Sequence, residues 1–310
     1  MGEISKVAVL GGGVIGASWT ALFLAAGREV TVFDPDPGVQ DAVERYIATA
    51  WPALEQLGLT ARATRDALSF APSTAAAVHG ADFVQENVPE RLPIKHATYA
   101  EIEPVLASNA IVSSSTSGLT LEALQGGWRD PGALILGHPF NPPHLIPLVE
   151  LTVNKETRGD VLDRTEAFYE DIGKVTIRIK KGMPGHVANR LQAAVWREAV
   201  HMAVEGVASL EDIDTAMWAG PGLRWAAMGP TMLFHLGAGE AGLQGFCDHF
   251  RDTFNGWWDD LGDPRLDDEV IKVLVDGMKD QTEGRSLQEL SAKRDALLTA
   301  LQTAVHPLRS

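Results

Sequence analysis

Residues 7–16, Val-Ala-Val-Leu-Gly-Gly-Gly-Val-Ile-Gly, constrain the fold of this chain more than any other stretch. A short apolar strand runs into G-x-G-x-x-G, formed by Gly11, Gly13 and Gly16. A helix-like stretch from Ala17 to Ala26 follows. A second apolar strand, Val30-Thr31-Val32-Phe33, then ends in Asp34. Each glycine has a physical task in this setting. Gly11 permits a tight turn, Gly13 lets a pyrophosphate approach the backbone, and Gly16 lets helix and strand pack closely. The N–H groups opening the helix, those of Val14 and Ile15 included, face the phosphates at the positive end of the helix dipole. A G-x-G-x-x-G alone also suits other glycine-rich turns. Here the strand before it, the helix after it and the acid ending the next strand supply the required context. Asp34 then selects the cofactor. Its carboxylate accepts hydrogen bonds from the adenosine ribose and repels a 2′-phosphate. Pro35-Asp36-Pro37 offer no cation, and Arg28 lies at the opposite end of the strand. The expected cofactor is NAD rather than NADP.

With 310 residues the chain is long enough for two domains and a sizeable core. Its 26 basic and 41 acidic side chains give a net charge of −15. That argues against nucleic acid and anionic membranes as partners and suits a small-molecule substrate in a locally tuned pocket. Cys247 is the only cysteine, so no intrachain disulfide forms, and a cytoplasmic location is expected. Met1 to Lys6 carry no signal-peptide pattern, and no apolar run approaches a membrane span. No metal site is expected.

From Lys6 to about Ile179 strands and helices alternate. The expected strands are 7–10, 29–33, 68–71, 81–86, 111–114, 134–137, 149–152 and 175–179, with helices such as 39–57 and 94–105 between them. This alternation implies a Rossmann-like, doubly wound, mainly parallel sheet. After Gly182-Met183-Pro184-Gly185 the strand signal stops. His186 to Glu205 reads as one long helix, and helical segments continue to the end. The expected domains are therefore 1–183, binding NAD, and an all-helical 184–310, carrying substrate contacts and a homodimer interface.

Strand ends in such a sheet present ligands. Strand 111–114 runs into Ser115-Thr116-Ser117-Gly118, and strand 134–137 into His138-Pro139-Phe140-Asn141-Pro142. Glu150 sits on the next strand, and Asn189 opens the long helix. A histidine with a carboxylate partner is the usual base for taking an alcohol proton as hydride leaves for a nicotinamide. Each residue taken alone has a plainer reading. Ser117 suits a turn or helix cap, Asn189 an N-cap, Glu150 a buried ion pair and His138 a structural histidine.

These residues carry a resemblance to the L-3-hydroxyacyl-CoA dehydrogenase superfamily over nearly the whole chain. Its serine falls in Thr116-Ser117-Gly118-Leu119, its histidine in H-x-F-N-P at 138–142, its glutamate in Leu148-Val149-Glu150 and its asparagine in Asn189-Arg190-Leu191. The serine-to-histidine spacing of 21 and the histidine-to-glutamate spacing of 12 fit the family. The resemblance implies that His138 is the general base, that Glu150 orients it, and that Ser117 and Asn189 hydrogen-bond the substrate oxygen. It also places Glu90 and Lys95 at the cofactor site.

The substrate is the less determined part. The coenzyme A-dependent branch carries a lysine-rich insert after the second strand. Here no lysine lies between Lys6 and Lys95, and Pro37 to Ser69 contains only Arg45, Arg62 and Arg65 as cations. A second set of motifs is similar to the L-carnitine 3-dehydrogenase branch: residues 50–55, 85–92, 114–119, 196–199, 222–225 and 255–258. Carnitine's trimethylammonium would bind aromatic faces by cation–π attraction, and the chain has 8 tryptophans. Trp225 and Trp196 are the candidate onium contacts, although a tryptophan there also suits a core or dimer interface. Arg224 or Arg190 is the candidate for the carboxylate. One departure is Asn189, where that branch often has Asp. The lambda-crystallin and L-gulonate dehydrogenase branch shares some motifs, but a polyol acid calls for more hydrogen-bonding side chains. The expected activity is NAD-dependent oxidation of a small 3-hydroxy acid, best matched by L-carnitine. The alternatives are 3-hydroxybutyryl-CoA, L-gulonate, or a non-enzymatic NAD-binding or structural role.

Overall fold

In the computed structural model, which describes residues 4–305 and Leu308, eight strands form one sheet. They are β1 (Lys6–Leu10), β2 (Glu29–Phe33), β3 (Leu68–Phe70), β4 (Phe83–Glu86), β5 (Ile111–Ser114), β6 (Leu134–Pro139), β7 (Leu148–Thr152) and β8 (Val175–Arg178). Their order is β3-β2-β1-β4-β5-β6-β7-β8. The order reverses between β1 and β4, and a crevice at such a switch point is where these sheets take ligands.

Helices return the chain across both faces: α1 (Val14–Ala25), α2 (Val39–Leu57), α3 (Thr74–Val78), α4 (Leu92–Ile102), α5 (Leu121–Gln125) and α6 (Val161–Asp171). Strands covered on both sides read as nearly continuous apolar runs. Val7 and Val9 of β1 face one layer, with Trp19 and Phe23 of α1, Val43 of α2 and Phe168 of α6. Ala8 and Leu10 face the other, with Val78 of α3, Tyr99 of α4 and Leu121 of α5. Trp19 stacks on Phe23 with ring centroids 5.3 Å apart. Truncating a buried aromatic such as Phe23 to alanine costs about 3–5 kcal/mol.

One ladder breaks the parallel pattern: β6 and β7 run antiparallel. Only Phe140 to Pro147 lie between them, too few for the dozen or more residues of a parallel crossover.

The chain separates into two compact units. The first holds the sheet, running to Val187, and the chain again from Ala292 onward; the second is Ala188–Ser291. The sequence grouped 184–310 as one helical domain, whereas the last helix leaves the second unit to join the first. There Thr299 is buried, and the Gln302 side chain donates to the Leu145 carbonyl. The second unit contains α7 (Ala188–Val204), α8 (Leu210–Ala219), α9 (Pro221–Ala227), α10 (Pro230–Gly237), α11 (Gly242–Asp260) and α12 (Asp268–Thr282), while α13 (Leu287–Val305) begins in it. Phe234 of α10 stacks on Phe246 of α11 at 4.5 Å. Among the described residues no helix is long and apolar enough to cross a membrane.

Candidate active site

The crevice begins at the end of β1. Gly11 has φ +89, and a Cβ there would meet the Asn87 carbonyl at 2.6 Å. That contact is the switch point itself, where the ends of β1 and β4 meet. A Cβ on Gly16 would strike the Gly11 carbonyl at 1.8 Å, so only glycine lets α1 start this close to the strand. In front of Gly13 the space is open. No side chain caps α1 and no acid sits in its first turn, so its N-terminal N–H groups are left for an anion. Val14 is 63 % exposed beside them, and Ile15 is half-buried. Asp34 stands at the end of β2, where its carboxylate accepts from the Gly12 amide at 2.8 Å and the Asp36 amide at 2.9 Å. Arg28 lies elsewhere, buried and paired with Asp171. These residues fit a dinucleotide whose pyrophosphate faces α1 and whose ribose meets an acid.

The antiparallel ladder builds the second part. Its register sets His138 of β6 directly opposite Glu150 of β7. Cross-strand partners have adjacent side chains, and His138 Nδ1 lies 2.8 Å from Glu150 Oε2. An ionised carboxylate only accepts, so Nδ1 carries the proton and Nε2 is left as the base. Nε2 is 3.1 Å from Ser117 Oγ. Glu150 is fully buried, His138 nearly so, and Ser117 is exposed. His138 Nε2 therefore faces the exposed Ser117 while the Glu150 carboxylate is shut away from solvent. The second carboxylate oxygen, Oε1, accepts from the Val187 amide at 2.9 Å. Both oxygens of Glu150 thus hold the site.

Ser117 sits on the loop after β5, and Glu90 fastens that loop. Its Oε1 accepts from the Thr116 hydroxyl at 2.5 Å, the Ser117 amide at 3.0 Å and the Gly118 amide at 2.8 Å. Burial works to raise the Glu90 pKa, but these hydrogen bonds and the Lys95 charge hold it below its ordinary value. Lys95 is itself 1 % exposed, and its ammonium donates to Glu86 Oε1 at 2.7 Å and to the Val88 carbonyl. The other Glu86 oxygen accepts from Tyr99 and Ser114, both at 2.7 Å. Burial and the Glu86 charge push the Tyr99 phenol far above its ordinary range, so it remains a donor. In this structure the Lys95 ammonium is committed to protein oxygens behind the Ser117 loop.

The remaining sequence candidates lie in the second unit. Asn189 is half-buried and Arg190 exposed in the first turn of α7, with Trp196 two turns further along it. Arg224 and Trp225 are exposed on α9. The structure thus brings Ser117, His138 and Glu150 together in one unit and sets the other five in its neighbour. Among the described residues, no group of three or more His, Cys, Asp or Glu could hold a metal ion.

The 3-hydroxyacyl-CoA dehydrogenase, NAD binding domain, matches residues 6–182, and the C-terminal domain of the same family matches 185–277. The chain belongs to the 3-hydroxyacyl-CoA dehydrogenase family. It is an NAD-dependent oxidoreductase. Within the family it is 43% identical to an L-carnitine dehydrogenase of Streptomyces griseus, over 94% of this chain and 88% of the relative. It is 42% identical to an L-carnitine dehydrogenase of Oceanobacillus iheyensis, over 96% of this chain and 97% of that one. Among solved structures it resembles 5-formyl-3-hydroxy-2-methylpyridine 4-carboxylic acid 5-dehydrogenase, an NAD⁺-dependent dismutase. That likeness has a TM-score of 0.84 and 27% identity, covering 98% of this chain and 99% of the other. FadB2 of M. tuberculosis matches with a TM-score of 0.67 and 28% identity, covering 89% and 95%.

Two features of this family member escape a reading by motif. Glu86 anchors a buried network, yet it looks like the polar end of a strand; the available signal was a charge on a strand covered on both faces. His186 was read as the first residue of the long helix. The structure instead turns it back with φ +50, so that its ring lies 4.9 Å from that of His138. The adjacent Pro184-Gly185 was the available sign of a bend.

Proposed function

We propose that this chain oxidises L-carnitine to 3-dehydrocarnitine with NAD. The observation that carries the chemistry is His138 held between the Glu150 carboxylate and the Ser117 hydroxyl. The relatives named L-carnitine dehydrogenase, which align with this chain almost end to end, support the choice of substrate. NAD, when bound, accepts the hydride from the substrate's C3. Gly11, Gly13, Val14, Ile15 and Gly16 hold its pyrophosphate and Asp34 its ribose, with Glu90 and Lys95 fastening the loop beside them. Ser117 hydrogen-bonds the 3-hydroxyl and His138 Nε2 takes its proton. Glu150 keeps the imidazole in the right tautomer and stabilises the imidazolium as it forms. Asn189, Arg190, Trp196, Arg224 and Trp225 are the second unit's candidates for binding the substrate. An acidic chain with 8 tryptophans suits a trimethylammonium better than the phosphates of coenzyme A, for which residues 37–69 offer only three cations. The proposal includes a cytoplasmic homodimer assembled through the helical unit, whose large apolar side chains are widely exposed.

The experiment is NADH formation by the purified protein with L-carnitine, L-gulonate and 3-hydroxybutyryl-CoA, each with NAD and with NADP. L-carnitine with NAD should give the highest kcat/KM. A preference for the thioester would transfer the site to acyl-CoA chemistry, and equal use of NADP would remove the assigned role of Asp34.

A further inference from the structure

At the boundary of the first unit the chain makes a bend that costs backbone strain. Gly185 has φ +75 and His186 has φ +50. The first is natural for glycine, whereas the left-handed region is uncommon for any other residue and calls for an explanation. The bend does two things. It delivers the Val187 amide to Glu150 Oε1 at 2.9 Å, and it lays the His186 ring beside that of His138, centroids 4.9 Å apart and tilted by 39°.

His186 is 7 % exposed, yet neither ring nitrogen makes a hydrogen bond of acceptable geometry. The Thr116 backbone is its nearest hydrogen-bonding group and works to raise its pKa, but the contact falls outside good hydrogen-bond geometry. Buried polar atoms are nearly always paired, so an orphan pair beside a reactive histidine demands a partner. Burial, and then the neighbouring His138, hold the imidazole below its ordinary pKa, against the opposing pull of Glu150 and Glu90. It is therefore neutral near pH 7, with one N–H donor.

The neighbours narrow what that donor is for. The Ser117 hydroxyl is engaged with His138, and the Thr116 hydroxyl donates to Glu90. Glu90 and Glu150 are acceptors that repel an anion. His186 brings an N–H that makes no well-formed hydrogen bond with any of these groups. Carbons two bonds apart are about 2.5 Å from each other, so the carboxylate of a 3-hydroxy acid lies within a few ångströms of the hydroxyl that His138 deprotonates. The two rings, 4.9 Å apart, are close enough for one such small acid to meet both.

We propose that His186 is a specificity-determining residue, whose imidazole N–H binds the carboxylate of a small 3-hydroxy acid while His138 works on its 3-hydroxyl. The inference rests on the proposed oxidation of a free hydroxy acid. It explains the strained turn and the unpaired ring together. It also gives the site a means of preferring acids over esters and thioesters, which present no anion there.

The test compares L-carnitine with its methyl ester, in the wild-type protein and in His186→Phe and His186→Gly. Phenylalanine keeps a ring and removes the donor, while glycine relieves the backbone and guards against misfolding of the first variant. The ratio of KM for the acid to KM for the ester should rise about tenfold or more in both variants, the usual scale of a lost hydrogen bond to a charged group. Calorimetry of the two ligands on the NADH-loaded protein should show the same ratio in Kd, without turnover. An unchanged ratio in either variant would reduce His186 to a packing residue and overturn the inference. If the wild-type protein ignores L-carnitine, the substrate reading fails separately. 3-Hydroxybutyrate and its methyl ester then carry the same comparison, and a wild-type enzyme confined to thioesters would overturn the role of His186.

Discussion

In the sheet unit Trp19, Phe23, Tyr99 and Tyr169 are wholly buried, whereas in the helical unit Trp196, Trp218, Trp257 and Trp258 are half exposed or more. The helical unit's buried apolar side chains are Val200, Ile213 and Val270. The contrast extends to polar groups. Glu86, Lys95, Tyr99 and Ser114 satisfy one another inside the sheet unit, as do Glu150 and His138. Ion pairs of the helical unit, such as Lys272–Asp276 and Arg251–Asp248, are on its surface, where such pairs contribute little. In one unit these buried polar groups are therefore satisfied, and His138 is already aligned by Glu150. The other carries apolar surface that a single chain leaves uncovered, as expected of an element built to meet a substrate or a second copy.

The sharpest way to break this comparison is to remove one satisfied charge from the sheet unit. Glu86→Leu would leave the Lys95 ammonium, the Tyr99 hydroxyl and the Ser114 hydroxyl without their acceptor. Breaking a buried pair from one side costs about 3–5 kcal/mol. Urea denaturation should show a loss of that size, while Trp218→Ser in the helical unit should change monomer stability by only about 0.5 kcal/mol. Comparable losses would mean that the two units are packed alike.

A second measurement concerns pH. His144 is buried against Ser18, whose hydroxyl accepts from the His144 amide at 2.9 Å and reaches its Nδ1 at 2.8 Å. Burial first, and then the charges of Lys174 and Arg294, lower its pKa from 6.5 to about 4, with Asp295 opposing. Because the folded value is the lower one, the unfolded chain binds the extra proton. This contribution is complete above pH 6.5 and is lost as pH falls towards 4, at no more than about 1.4 kcal/mol per unit. Denaturation midpoints between those pH values should show that decline, and His144→Asn should flatten it. A wild-type curve with no slope there would show that His144 is not held neutral.

Smaller effects test the helical unit. Trp225→Leu and Trp196→Leu should raise KM for L-carnitine by roughly 30-fold at most, the equivalent of about 2 kcal/mol of cation–π attraction. The effect on 3-hydroxybutyrate should be much smaller, and equal losses on both would assign these tryptophans to packing. Replacing Trp257 and Trp258 together by serine should shift the sedimentation coefficient from that of the proposed homodimer towards that of a monomer. An unchanged oligomer would place the interface elsewhere.

Much of the sheet unit was legible because its physics is local. Strands covered on both faces read as apolar runs, and the observed strands lie within two residues of those expected. The glycine turn was equally plain, since Gly11 and Gly16 admit no side chain. The long-range geometry was not legible. The spacing of His138 and Glu150 matched a family pattern, but only the short return from β6 to β7 forces the antiparallel register that sets them face to face. Lys95 was expected at the cofactor site, and nothing local reveals that Glu86 lies beneath it. The return of α13 to the sheet unit was hidden for the same reason. Helical periodicity records that a face is apolar, and not which surface will cover it.

The central claim is that His138, aligned by Glu150, is the base of an NAD-dependent hydroxy acid oxidation. The most direct test is kcat for L-carnitine in the wild-type protein and in His138→Gln, with NADH affinity measured alongside by fluorescence titration. The account predicts a fall in kcat of about 10²- to 10⁴-fold, the range for losing a general acid–base group, with NADH binding nearly unchanged. Near-wild-type turnover in His138→Gln would contradict it.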